Sequence, residues 1–111
     1  MRFDFEIFER QLLKAYNSIS NCAFTLEECR AVFNYYFQIY TECTGREHPP
    51  IKTEKLVEFL GNIELDGLLE VSDYPYLIDR YFETPFRNCD RNICHFFSGR
   101  IRELRFYETL Y

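Results

Sequence analysis

Cys89, Asp90, Cys94 and His95 are the residues of this sequence whose types and spacing come nearest to chemistry. Thiolate, carboxylate and imidazole groups hold zinc, which takes four such ligands on a tetrahedron, usually from two paired knuckles. The spacing here is C-x4-C-H, and no second matched pair exists, since Cys22 and Cys29 lie seven positions apart across a helix start. Neighbouring residues on a helix point about 100° apart, so Cys94 and His95 would diverge. We therefore expect buried structural thiols, no metal and no cofactor. A Cys–His nucleophile pair is the other chemistry on offer. Cys43 falls near a helix C-terminus, where the dipole opposes a thiolate. His48 and Cys94 could meet only through the fold. There is no G-x-S-x-G, no phosphate-cradling loop and no H-E-x-x-H. Gly45, Gly61, Gly67 and Gly99 all read as punctuation. The expectation is a protein that is not an enzyme.

Charge and aromatic content point elsewhere. The net charge is −5 and unevenly spread. Residues 61–85 hold six acids against Arg80 alone, whereas residues 86–111 hold five arginines against three acids. A phosphate-binding role favours a basic balance, so a plain nucleic-acid binder is disfavoured. Arg100, Arg102 and Arg105, with Phe106 and Tyr107 for stacking, keep nucleic acid as the alternative; pairing with the acidic segment in cis would also satisfy them. Glu64, Asp66, Glu70, Asp73, Asp79 and Glu83 form an anionic strip that could engage a basic surface, or simply a solvated face. Twelve Phe and nine Tyr, with no Trp, exceed what a core of this size needs. The surplus either lies on the surface, where Tyr favours interfaces, or makes a Phe/Tyr-rich core with half-exposed phenols. Acid and tyrosine together in one segment predict a protein-binding module. Its partner would have a basic surface, and Glu64, Asp66, Glu70, Asp73, Tyr74 and Tyr76 are the partner-binding residues.

The elements that must position these groups form one domain over residues 1–111, long enough to bury roughly 65% of its unfolded surface. The organising stretch is Phe24–Gly45. Thr25 and Glu28 spell a capping box, Phe24 can staple onto Cys29, and Gly45 supplies a left-handed stop. Leu26, Cys29, Val32/Phe33, Tyr36/Phe37 and Tyr40 recur at helical spacing, with Tyr35, Ile39 and Cys43 in a second stripe. A helix apolar over so wide an arc belongs at the centre of a core. Phe5, Phe8, Leu12, Tyr16 and Ile19 predict a flanking helix capped by Asp4, antiparallel to the central one, with a Glu6–Arg10 ion pair. Pro49-Pro50 makes an extended connection. A short helix follows over 54–60, stopped by Gly61. Asn62–Leu65 and Leu68–Val71 then read as arms of a small β-hairpin turning at Asp66-Gly67, or else as an irregular acidic loop. Asp73 or Tyr74 starts a helix through Phe82, ended by Thr84-Pro85, and Asp90 caps a short turn through Phe97. Residues 100–109 allow helix or strand. The fold class is thus mostly α (α+β): a compact helical domain around a central helix at 25–44, with a β-hairpin at 62–71.

Reduced thiols are expected from five cysteines, an odd number, and from an N-terminus, M-R-F-D-F-E-I-F-E-R, that has no signal-peptide pattern. No run of apolar residues is long enough to cross a membrane. These features predict a cytoplasmic protein. The stretches F-T-L-E-E-C-R-A-V-F-N-Y-Y-F and H-F-F-S-G-R-I-R-E-L-R-F-Y-E-T give the chain a resemblance, in style over all 111 residues, to small acidic, Tyr/Phe-rich accessory proteins of bacterial mobile elements, a group that includes anti-CRISPR inhibitors. That resemblance implies no catalytic residues. It implies a role by binding: occluding the basic groove of a nucleic-acid-handling effector, such as a CRISPR effector, or another host protein.

Overall fold

A computed structural model describes residues 3–19, 24–65, 71–86 and 89–97 of the chain. Among these, α1 spans Phe5–Ser18, α2 Leu26–Thr44, α3 Thr53–Leu65, α4 Tyr74–Glu83 and α5 Ile93–Phe96, with a 3₁₀ turn at Val71–Asp73. The described residues contain no strand, so the mostly helical expectation holds and the β-hairpin does not.

The helix starts follow their sequence signals. Asp4 Oδ1 accepts from the N–H groups of Glu6 and Ile7 at 2.9 and 3.3 Å, satisfying two donors that the helix itself leaves open. In α2 the capping box closes in both directions. Glu28 N–H donates to Thr25 Oγ1 at 3.1 Å, and Thr25 N–H to Glu28 Oε1 at 2.9 Å. Gly45 ends α2 at φ 71°, in the left-handed region that glycine enters without steric cost, and its N–H returns to Thr41 O at 2.9 Å.

Packing follows the stripes. Cys29, Val32, Phe33, Tyr36, Phe37 and Tyr40 of α2 are all buried, while Tyr35 and Ile39 of the second stripe are half-buried and Cys43 is exposed. Phe8 of α1 lies edge-on to Phe33 and Phe37, with ring centroids 5.8 and 5.0 Å away. The more extensive partner of α1 is nevertheless α3, and that of α2 is α4. Phe97, just past α5, closes the other side of the core against Phe33 at 5.9 Å and stacks on Phe59 at 5.1 Å. The aromatic surplus is thus absorbed mostly by the core. Offset and edge-on rings add about 0.5–1.5 kcal/mol per pair beyond the area they bury. Phe5, Ile7, Leu13 and Tyr76 are the large apolar side chains exposed among the described residues.

Three sequence expectations are corrected. The helix read as 54–60 runs on to Leu65, so the first hairpin arm, Asn62–Leu65, is helical. The reason is energetic: an interior glycine costs a helix only about 1 kcal/mol relative to alanine, which buried Leu56, Phe59 and Leu60 readily offset. Residues 66–70, with the Asp66-Gly67 turn, lie outside the described residues, and Val71 begins the 3₁₀ turn. Glu6 and Arg10 do not pair, because Arg10 Nε donates to the Glu6 carbonyl instead, at 3.4 Å. Helix α5 is capped by Asn92, whose side chain accepts from Cys94 N–H at 2.9 Å; Asp90 accepts from Asn92 N–H one step earlier.

Candidate functional site

The six residues expected to bind a partner are not brought together as one surface by what the structure describes. Glu64 lies in α3, and Asp66 and Glu70 fall outside the described residues. Asp73 is half-buried at the start of α4. Tyr76 is 52% exposed, as an interface residue must be. Tyr74 is a correction, because it is fully buried. Its ring packs edge-on to Phe24 at 6.2 Å and tilts against Phe97 at 6.5 Å. The sequence carried the signal for this, since Tyr74, Leu77, Ile78 and Tyr81 fall at i, i+3, i+4 and i+7, which is the inward face of α4. The remaining acids of α4 are engaged within the chain. Asp79 accepts from the Tyr35 hydroxyl at 2.6 Å and Glu83 pairs with Arg80 at 3.2 Å. Arg100, Arg102 and Arg105 lie outside the described residues.

A groove that sequence reasoning missed lies between the start of α1 and the second half of α2. It encloses about 410 Å³. Phe3 and Phe5 form one wall, with ring centroids 4.9 Å apart, and Phe37 forms the floor, 4.7 Å from Phe3. The opposite side is Asn34, Gln38 and Thr41, on the solvent side of α2, and Glu42 and Glu47 are its acids. No lysine or arginine lines it. Phe5 is 57% exposed at its edge, an expensive place for a phenylalanine without a partner. Phe5 is a correction: helical spacing put it on the buried stripe of α1 with Phe8 and Leu12, but it stands at the first position of the helix and is exposed.

His48 ends the groove and is itself 2% exposed. Its ring sits 4.8 Å from Tyr40 and 5.1 Å from Phe37. Both nitrogens are used by backbone: Nδ1–H donates to Pro49 O at 2.7 Å, and Nε2 accepts from Ile93 N–H at 3.0 Å. That pattern requires the neutral imidazole. Burial pushes its pKa down, opposed by the Pro49 hydrogen bond and by Asp90. His48 therefore pins the proline loop to α5 and does not meet the exposed Cys94 thiol.

Cys89 and His95 do meet. Cys89 Sγ is 3.3 Å from His95 Nδ1 and 3.5 Å from the Tyr81 hydroxyl, which is itself 2.7 Å from the same Nδ1. Arg91 joins them from the loop, its N–H donating to Cys89 Sγ at 3.4 Å. Its guanidinium donates to the carbonyls of Tyr81 and Thr84 at 2.7 and 2.6 Å, at the C-terminal end of α4. It also lies over the rings of Phe86 and Tyr81, 5.1 and 5.3 Å from their centroids. Tyr36 donates to the Arg91 carbonyl at 2.7 Å. These contacts hold Arg91 at φ 63°, a conformation unusual for a residue with a side chain.

Among the described residues, no group of three or more His, Cys, Asp or Glu side chains is arranged to hold a metal ion, and no helix is long and apolar enough to cross a membrane. Comparison of the chain with protein-family models, with curated proteins and with solved structures found no match.

Proposed function

We propose that this protein is a protein-binding module whose groove takes a bulky apolar side chain of a partner, flanked there by lysine or arginine. The observation that carries this reading is the composition of the groove: a phenylalanine wall and floor, two carboxylates and no basic side chain. Apolar area supplies the short-range part of the affinity, and Phe5 at the edge is the natural anchor contact. Glu42 and Glu47 supply the charge complement, which steers a basic segment in and rejects an acidic one. Tyr76 offers a second exposed aromatic on the same chain. A basic nucleic-acid-binding groove in a host effector meets the same requirement. Its occlusion is the form of inhibition that the resemblance to mobile-element accessory proteins implies.

The test uses defined peptides: a central Phe or Leu flanked by Lys/Arg, and the same anchor flanked by Glu, each carrying a fluorophore for anisotropy. The basic peptides bind and the acidic ones do not. Binding weakens as salt rises past about 0.15 M, where the screening length is near 8 Å. Phe5→Ser abolishes it, and Glu42→Gln with Glu47→Gln removes its salt dependence. Equal binding of acidic and basic peptides, or no binding of either, overturns the reading.

A further inference from the structure

A different part of the molecule carries chemistry that binding does not use. We propose that Cys89 is a hydroperoxide-reactive thiol, with His95 as the group that takes its proton and returns it to the leaving oxygen.

Three hydrogen-bonding groups converge on one sulfur: His95 Nδ1 at 3.3 Å, Arg91 N–H at 3.4 Å and the Tyr81 hydroxyl at 3.5 Å. A thiolate, which accepts only, can be met by all three as donors once His95 is protonated; a thiol cannot use them all in that way. The proton has two routes from sulfur to imidazole. It passes directly over 3.3 Å, or through Tyr81, whose oxygen takes the thiol proton while its own passes to Nδ1 at 2.7 Å. Burial, with the hydrogen bond to Cys89 as the next cause, pushes the Tyr81 phenol far above its ordinary value, so it relays a proton without ionising.

The backbone supports the same assignment. Arg91 sits in the left-handed region at φ 63°, and it is this turn that aims its N–H at Sγ. Strain of this kind persists only where surrounding contacts fix it. Here the two α4 carbonyls, the three aromatic rings and the Tyr36 hydroxyl do so. Among the described residues, the titratable and charged groups that meet the sulfur are Tyr36 from α2, Tyr81 from α4, Arg91 from the loop and His95 from α5; Asp90 is its neighbour in the chain. Cys89 is half-buried, while Tyr81, against which it packs, is fully buried.

Cys89 S–H gives its proton to His95, leaving a thiolate beside an imidazolium. The thiolate attacks the terminal oxygen of a hydroperoxide ROOH, an S–O bond forms and the O–O bond breaks. The departing RO⁻ takes the proton from His95 as ROH. Sulfur ends as sulfenic acid, oxidised by two electrons, and the peroxide is reduced to the alcohol, or to water where R is hydrogen.

Exposure and chemistry predict opposite orders of reactivity, which makes the test sharp. Cys43 and Cys94 are both more exposed than Cys89. Burial moreover pushes the Cys94 thiol up, disfavouring its thiolate. The folded protein is treated with limiting hydrogen peroxide, the sulfenic acid is trapped with a 1,3-dione, and the peptides are mapped by mass spectrometry. Cys89 is labelled first, and Cys89→Ser loses that label without raising the others. His95→Asn slows labelling at pH 7 by about tenfold or more, as expected when a positioned base is removed. It retains the rate at high pH, where hydroxide removes the proton instead. Tyr81→Phe, which keeps the ring and its packing, also slows the reaction at pH 7; it serves as the readout if His95→Asn loses its helical signal. Labelling of Cys43 or Cys94 as fast as Cys89 overturns the proposal, as does a wild-type rate at pH 7 in the folded variants.

Discussion

The imidazole Nε2 of His48 accepts from the backbone N–H of Ile93 at 3.0 Å, linking positions 45 residues apart inside the core. A neutral ring is the only form that can do this while Nδ1–H donates to the Pro49 carbonyl. The folded pKa therefore lies below the unfolded value of about 6.5. Between the two, the unfolded chain binds the proton and the folded chain does not, so stability rises with pH in that window. The contribution is fully present above about pH 6.5 and is lost as pH falls through the folded value, by up to about 1.4 kcal/mol per pH unit for one linked proton. Thermal unfolding followed by circular dichroism from pH 7.5 to 5.5 should show the midpoint falling. In His48→Gln, which is less stable throughout, that slope should flatten. An unchanged slope would show that another group titrates there.

Gly61 lies inside α3, which continues four residues beyond it to Leu65. A Cβ built on Gly61 meets nothing within 4 Å. Gly61→Ala should therefore stabilise the protein by about 0.5–1 kcal/mol, since alanine leaves the unfolded chain fewer conformations to lose. The midpoint of thermal unfolding should rise by a few degrees. A glycine acting as a left-handed stop would give the opposite sign, so the experiment distinguishes a helix that ends at Gly61 from one that runs through it.

What could be read from the sequence were the features written locally. Asp4, the Thr25/Glu28 capping box, Gly45 and the α2 stripe each depend on residues within a few positions of one another, and each appears in place. Gly61 looked like punctuation, but a local stop signal worth about 1 kcal/mol yields to tertiary burial. The groove, and the meeting of Tyr81 with Cys89 and His95, were illegible for a different reason. Phe3 meets Phe37, and Tyr81 meets His95, across spacings that no period records. Tyr74 is the instructive miss: its helical register with Leu77, Ile78 and Tyr81 was legible, yet its acidic neighbours suggested a surface.

The Tyr35 hydroxyl donates to Asp79 Oδ1 at 2.6 Å, joining α2 to α4 at the edge of the core. That hydrogen bond, then burial and the carboxylate's charge, push the phenol up to about 12. Because the folded value exceeds the unfolded one, the linked stability is present below pH 10 and is lost as pH rises toward 12. Tyr35→Phe should cost on the order of 1 kcal/mol, in the range for a partly exposed hydrogen bond to a charged acceptor. In a double-mutant cycle with Asp79→Asn in urea, the coupling should be positive and well above error. Additive losses would mean the two side chains are neighbours without a stabilising bond.

Tyr74 and Tyr76 are two residues apart at the start of α4 and should separate cleanly by experiment. Tyr74 is fully buried against Phe24 and Phe97, whereas Tyr76 is 52% exposed. Tyr74→Ala leaves a cavity the size of a ring and should cost about 3–5 kcal/mol, the range for truncating a buried aromatic. Tyr76→Ala removes area already in contact with water and should stay within about 0.5–1 kcal/mol of the parent. Urea unfolding of the two variants measures this directly, and the binding assay supplies the second axis. If Tyr76 contributes to the partner surface, Tyr76→Ala loses affinity at nearly unchanged stability. Tyr74→Ala should weaken binding only in step with its unfolded fraction, because a core residue acts on a partner through the fold alone. Weakened binding by a fully folded Tyr74→Ala would return that side chain to the surface.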